Sequence, residues 1–197
     1  MRRGIGLMLT PLAGYRPTWI DAVPCWAADT GCYRQGDRFT LDTYWSWLER
    51  MGGRDTCLFA TAPDVVGDAS ATWARSVPVL PIIRAMGLPA SLVAQDGLEA
   101  MRVEWDAFDC LFIGGSTEWK LGAPAASLVA EAKARGKWVH MGRVNSGRRL
   151  LYATRIGCDS ADGTYMAFNP SEALSRMGRW LARANAPQLA LPLEIAS

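Results

Sequence analysis

Polar or glycine clusters follow short apolar runs repeatedly along this sequence, and four of the six carry a carboxylate. The clusters are Asp29-Thr30-Gly31, Pro63-Asp64, Gln95-Asp96-Gly97, Gly114-Gly115-Ser116, Met141-Gly142-Arg143 and Asp159-Ser160-Ala161-Asp162-Gly163. One such cluster is an ordinary strand-to-loop turn. Six of them, with at least three carboxylates brought to one rim, make a candidate site. Two carboxylates flanking a glycosidic carbon divide the work of nucleophile and proton carrier. An amide, a carboxylate and backbone N–H groups match the hydrogen-bonding edge of a guanine-like base. Residue chemistry alone therefore reaches a small-molecule or nucleotide site with acid–base or nucleophilic aspartates.

The elements that must position these residues are legible as alternating apolar runs and amphipathic stretches. The runs cover 4–10, 23–29, 57–64, 90–96, 110–115, 138–142 and 157–168. Each is too short for a buried helix and reads as a strand covered on both faces. Helical stretches are predicted at 41–51, 69–86, 122–135, 146–156 and 171–184, with Gly87, Gly136 and Gly157 where C-terminal caps are expected. Segments 11–22 and 98–108 read as loops, and the tail from Asn185 as irregular. Strand–helix alternation of this kind builds a parallel sheet with crossover helices. The expected fold is a compact (β/α)8 barrel of one domain, residues 1–184, with clusters at the C-terminal strand ends. An open doubly wound sheet is the rival, but no glycine-rich dinucleotide fingerprint follows the first strand.

Composition bounds the remaining possibilities. The chain has 197 residues, half apolar and a fifth charged, with a formal net charge of +2. That balance neither requires nor excludes a polyanion, because a local basic rim suffices. The apolar stretch after Arg3 is short and broken at Pro11, so it reads as neither a signal peptide nor a membrane span, and a cytoplasmic location is the default. Five cysteines without CxxC spacing and a single histidine, His140, speak against a disulfide framework or a structural zinc. No cofactor is implied.

In order and chemistry the clusters resemble the tRNA-guanine transglycosylase superfamily, most of all its compact branch of 7-deazaguanine DNA transglycosylases from phages and bacteria. The likeness spans residues 4–170. Asp29-Thr30-Gly31-Cys32-Tyr33 is similar to the family's Asp-Ser-Gly-Gly-Tyr/Phe motif, which implies Asp29 as general acid/base and Tyr33 as a base-stacking aromatic. The resemblance makes Asp64 the reader of the base's amidine edge and Gln95 the ligand of its carbonyl. It also makes Gly114-Gly115 a turn whose backbone N–H approaches that carbonyl. His140-Met141-Gly142 is similar to a Leu-Met-Gly segment whose Met lies on the other base face. Gly157-Cys158-Asp159-Ser160-Ala161-Asp162 resembles Gly-Ile-Asp-Met-Phe-Asp, which maps the nucleophile to Asp162 with Asp159 as its competitor. Each residue also has a plainer reading. Tyr33 would pack the rim, Met141 would be buried at a strand end, and His140 would be satisfied in the core, the reading preferred for it.

Three departures from the family shape the expectation. The C-terminal zinc ligands and the tRNA-binding insertion are absent, which favours DNA over tRNA as the polymer. Where tRNA enzymes carry a Glu that favours an aminomethyl group, this sequence has Lys120. A cation there repels an ammonium and tolerates a nitrile or an anion, unless Lys120 is simply a solvated charge. Arg143, Arg148 and Arg149 are candidate phosphate contacts, with surface solvation as the alternative. The implied activity is exchange of guanine in nucleic acid for a 7-deazaguanine such as the 7-cyano form, through an aspartyl-glycosyl intermediate. A nucleoside or glycoside hydrolase would use the same carboxylates, and a non-catalytic nucleic-acid-binding paralogue is the other rival. The oligomeric state is left open, a homodimer included.

Overall fold

The computed structural model describes residues 4–12, 20–51, 54–167 and 170–186. Seven strands form in the places where the apolar runs predict them. They are β1 (Leu7–Leu9), β2 (Trp26–Ala28), β3 (Cys57–Thr61), β4 (Ala90–Ala94), β5 (Cys110–Ile113), β6 (Trp138–Met141) and β7 (Ser160–Ala161). All pair in parallel, in the order β1-β2-β3-β4-β5-β6-β7. A doubly wound sheet reverses its strand order at a switch point. This one never does.

Eight α-helices accompany the strands among the described residues: α1 (Cys32–Gln35), α2 (Leu41–Arg50), α3 (Ala69–Ser76), α4 (Leu80–Ala85), α5 (Thr117–Lys120), α6 (Ala123–Ala134), α7 (Gly147–Ile156) and α8 (Pro170–Asn185). Their starts are chemically marked. The side chains of Thr40, Asp68, Ser116 and Ser146 each accept a backbone N–H two or three residues into the following helix. At the other end of α7, Gly157 takes φ 104°, a left-handed cap that suits glycine.

Sequence and structure differ at the predicted helix 69–86, which is two helices. Pro78 and Pro81 cannot donate backbone N–H groups, and the chain breaks between Ser76 and Leu80. The short α1 and α5 lie in stretches that carry too few turns to show helical periodicity. Segment 98–108 holds two 3-10 turns, Leu98–Ala100 and Trp105–Ala107. Asn185 ends α8 rather than opening the tail, and 187–197 lie outside the described residues, as do 13–19 of the predicted loop 11–22.

The sheet is curled. The Phe59 ring on β3 lies 4.9 Å from the His140 ring on β6, although two strands intervene. A flat sheet would separate those strands by about 14 Å, at about 4.8 Å per strand. Curling sorts the side chains by the period of two. Leu9, Ala28, Leu92, Ala94, Leu111, Ile113, Val139 and Met141 face outward, in one core with the helices. Met8, Ala27, Phe59, Val93 and Phe112 face inward, in a second, smaller core on the concave side.

Candidate functional site

Strand geometry says which polar residues can meet. A residue two positions beyond an inward one points to the same side, one layer higher. Counting on from Ala27, Val93, Phe112 and His140 gives Asp29, Gln95, Gly114 and Gly142. From Ser160, which pairs with His140 in the β6–β7 register, the same step gives Asp162. The apolar concave layer is thus capped, at the C-terminal strand ends, by the residues singled out from sequence.

Asp29 is half-buried at the exit of β2. Its Oδ1 accepts the Gly31 N–H at 2.8 Å and the Thr30 hydroxyl at 3.4 Å. Burial pushes its carboxyl above the usual aspartate range, and the charges of Asp64 and Asp162 push the same way. That mutual influence places all three carboxylates in one electrostatic neighbourhood. Among the described residues none of them is ion-paired with Lys or Arg.

Asp64 arrives from the loop after β3 and is joined to Gln95. Gln95 Nε2 donates to Asp64 Oδ2 at 2.6 Å, and Gln95 Oε1 accepts the Gly67 N–H at 3.0 Å. With Gln95 only 2% exposed, its amide is fixed in orientation and keeps one N–H for a further acceptor. Cys32, on α1, donates its thiol to Asp64 Oδ1 at 3.2 Å. The neighbouring Tyr33 is 78% exposed, so it does not pack the rim.

The Gly114-Gly115 turn needs glycine for space. A Cβ on Gly114 would lie 2.7 Å from Val93, and one on Gly115 would lie 2.3 Å from the Trp119 ring. Both N–H groups of the turn already donate to the Ala94 carbonyl, at 3.0 and 3.2 Å, so the turn supplies room for a close approach rather than a free donor. The Gly114 carbonyl accepts from the Arg143 guanidinium at 2.9 Å, and the Gly115 carbonyl accepts from the same nitrogen. Below it, Asp96 accepts the Ser116 amide and hydroxyl, both at 2.6 Å. Burial alone would raise the Asp96 carboxyl, but these bonds hold it below its ordinary range.

Three expectations are corrected here. Met141 faces the helices, fully buried in the outer core, and not the concave layer, because it is one residue out of phase with His140. Arg143 is a clamp on the Gly-Gly turn rather than a free phosphate contact. It is also the single non-glycine residue with positive φ, 60°, among those described, and its own N–H reaches Asp162 Oδ1 at 3.3 Å. Lys120 is no solvated charge: it is 0% exposed, and its ammonium donates to the Gly142 carbonyl at 2.7 Å. Burial lowers its pKa to about 8, with Arg143 and Arg149 adding to the effect and Asp162 opposing it. Arg148 is exposed and Arg149 half-buried at the start of α7. Neither forms an ion pair among the described residues.

The competition between Asp159 and Asp162 has a structural answer. Asp159 lies at the entrance of β7, paired to Lys133 of α6 at 2.6 Å and accepting the Val139 N–H at 2.8 Å. Asp162 lies at the exit, on the concave side, with Oδ1 held by His140 Nε2 at 3.1 Å. The preferred core reading of His140 is therefore half the story: it packs between Phe59 and Phe112, yet its nitrogens are bonded to Ser160 and Asp162. The sequence offers the spacing of His140 two residues before Gly142, and the structure supplies the inward phase of β6 that gives that spacing meaning.

Two open grooves of about 360 and 520 Å³ lie elsewhere, around Arg102, Trp105 and Arg135, and contain none of these residues. Among the described residues no group of three or more His, Cys, Asp or Glu side chains is arranged to hold a metal ion, and no helix is long and apolar enough to cross a membrane.

No family model and no curated protein matches the chain. Solved structures do. A phosphodiesterase, PaMucR, in complex with c-di-GMP is 16% identical over 76% of this chain and 64% of its own, with a TM-score of 0.49. The 3-hexulose-6-phosphate synthase of Salmonella typhimurium is 16% identical over 91% and 98%, with a TM-score of 0.48. Tryptophan synthase of M. tuberculosis is 18% identical over 81% and 59%, with a TM-score of 0.42. The chain spans 64% and 39% of the length of the first two structures it matches.

Proposed function

We propose that this protein exchanges guanine in nucleic acid, DNA in preference to tRNA, for a 7-deazaguanine, through a covalent intermediate on Asp162. The observation that carries the reading is the meeting of Asp29, Asp64 and Asp162 on one concave rim, without Lys or Arg ion pairs among the described residues, beside an oriented Gln95 amide. On this reading the curled seven-stranded sheet is the wall of a (β/α)8 barrel, and the rim is its C-terminal mouth.

A guanosine is flipped from its stack into the mouth, as chemistry on a base within a duplex requires. Its Watson–Crick edge meets Asp64, its carbonyl meets the second N–H of Gln95, and Tyr33 supplies a face for stacking. Asp162 Oδ2, which has no partner among the described residues, attacks C1′. The Oδ2–C1′ bond forms as the C1′–N9 bond breaks, and the departing guanine takes the electron pair and a proton from Asp29, which leaves that carboxylate ionised. The incoming base then gives its N9 proton to Asp29 as N9 attacks C1′ and frees Asp162. Two displacements retain the configuration. A carboxyl raised by burial suits a group that both gives and takes a proton.

Lys120 sits on the Gly142 carbonyl, and the charges of Arg143 and Arg149 act on it, so this side of the site is positive and favours an anionic or nitrile substituent over an ammonium. The test is mass spectrometry of nucleosides released from DNA incubated with the protein and 7-cyano-7-deazaguanine. A 7-deazaguanine nucleoside is expected. Free guanine with abasic DNA would mean a hydrolase, and unchanged DNA with bound base a non-catalytic protein.

A further inference from the structure

The concave layer contains a hydrogen-bonded chain that ends on the nucleophile. Trp138 Nε1 lies 2.8 Å from Ser160 Oγ, Ser160 Oγ lies 2.8 Å from His140 Nδ1, and His140 Nε2 lies 3.1 Å from Asp162 Oδ1. Strand register assembles it: Trp138 and His140 share one face of β6, and His140 stands opposite Ser160 in the parallel ladder with β7. The imidazole is 3% exposed and lies 4.9 Å from the Phe59 ring and 4.6 Å from the Phe112 ring, so it has little freedom to turn.

For a neutral ring the position of every proton follows from the types of group present. An indole N–H only donates, so it occupies an acceptor site on the Ser160 oxygen. An ionised carboxylate only accepts, so the nitrogen facing Asp162 must bear the hydrogen. The neutral ring then presents a lone pair at Nδ1, and the Ser160 hydroxyl hydrogen is the donor that meets it. The opposite tautomer would set the Nε2 lone pair against the carboxylate.

We propose that His140 is a positioning residue, held by Trp138 and Ser160 as the neutral Nε2–H tautomer, which fixes the Asp162 carboxylate through Oδ1 and leaves Oδ2 as the attacking oxygen. The Arg143 N–H on the same Oδ1 is its second anchor. The assignment of attack rests on the transglycosylase reading; the hydrogen-bond chain itself does not. Substituents that hold a reacting group act on rate, because a misplacement of about 1 Å costs about 10²-fold.

The chain has a single histidine, so a nitrogen-15 spectrum of the imidazole needs no assignment. Expected is a neutral ring protonated at Nε2, with the Nε2 resonance displaced in Asp162→Ala and the Nδ1 resonance displaced in Ser160→Ala. A ring protonated at Nδ1, an imidazolium, or resonances indifferent to both substitutions would overturn the proposal, whether or not the protein exchanges bases. The second arm is kinetic. His140→Phe should slow covalent adduct formation by about 10²-fold with base affinity unchanged, and His140→Gln, which keeps an N–H near the Nε2 position, should recover most of it. Melting curves report whether each variant is folded. A folded His140→Phe with wild-type adduct formation, or a loss that Gln does not relieve, contradicts the positioning role.

Discussion

Asp109 and Asp159 stand at the entrances of β5 and β7, and Asp29 and Asp162 stand beyond the exits of β2 and β7. The entrance pair is neutralised. Asp109 is bound by Arg84 of α4 at 2.7 Å and accepts the Ala90 N–H at 2.9 Å, and Asp159 repeats the device with Lys133 of α6 and the Val139 N–H. In each, a carboxylate just before one strand ties the neighbouring strand to the helix that precedes that neighbour. Burial would raise the Asp109 carboxyl, but Arg84 and the Ala90 N–H hold it below its ordinary value. At the exits no Lys or Arg is paired to the carboxylates among the described residues, and burial raises Asp29. The same residue type is structural where the fold provides a counter-charge. Where the fold withholds one, the carboxylate is available for chemistry.

Removing carboxylates at the two ends should therefore have opposite consequences. Asp29→Asn should cut exchange by about 10²–10⁴-fold, as loss of a general acid–base group does. It should not lower the melting temperature at neutral pH. The sign follows from linkage: a carboxyl raised in the folded state binds more protons there than in the unfolded chain, so its contribution to stability falls as pH rises through the window. Acidification should accordingly erase any stability gained by the variant. A melting temperature that drops in Asp29→Asn would remove the contrast between the two ends. Next in size, Gln95→Ala strands the Gly67 N–H and Asp64 Oδ2, and should weaken base affinity by about 1–3 kcal/mol in a calorimetric titration.

Asp109→Ala leaves the buried Ala90 N–H without its acceptor and should cost about 1–3 kcal/mol in a denaturant melt, with exchange per folded molecule unchanged. Since the Asp109 carboxyl is lowered in the folded state, its contribution is present above the unfolded value and lost as pH falls through the folded one. The smallest effect concerns Lys120. With a folded pKa of about 8 against 10.5, the unfolded chain binds more protons between those values, so stability should rise there with pH. The rise is at most about 1 kcal/mol per pH unit, and Lys120→Met should lack it.

Much of this molecule is legible in its sequence, and the failures have physical causes. All seven strands lie inside their predicted runs, because an apolar run that is both short and bounded by Gly, Pro or Asp leaves few alternatives. Strand-exit clusters were found for the same reason. What the sequence hides is phase and partnership. Met141 and His140 are adjacent, and only the side on which Phe59 and Phe112 lie decides that His140 faces the site and Met141 the helices. Arg143 reads as a phosphate contact and Lys120 as a substituent-selecting cation, each with a solvated charge as the alternative, because nothing local records that Gly114, Gly115 and Gly142 carbonyls, distant in sequence or across a turn, converge on them. Asp159 and Asp162 are three residues apart, and a two-residue strand lies between them. That strand puts one at each end of the sheet.

That separation is also where the account is most exposed. Reactions of guanine-containing DNA with the protein, quenched by denaturation and resolved on a gel, would show a glycosyl-enzyme as a shifted band. The account predicts the band for the wild type and for Asp159→Asn, the latter with lowered stability, and its loss in Asp162→Asn, whose carboxamide is too weak a nucleophile to displace the base. A band that persists in Asp162→Asn and disappears in Asp159→Asn, or one that survives both substitutions, would contradict it.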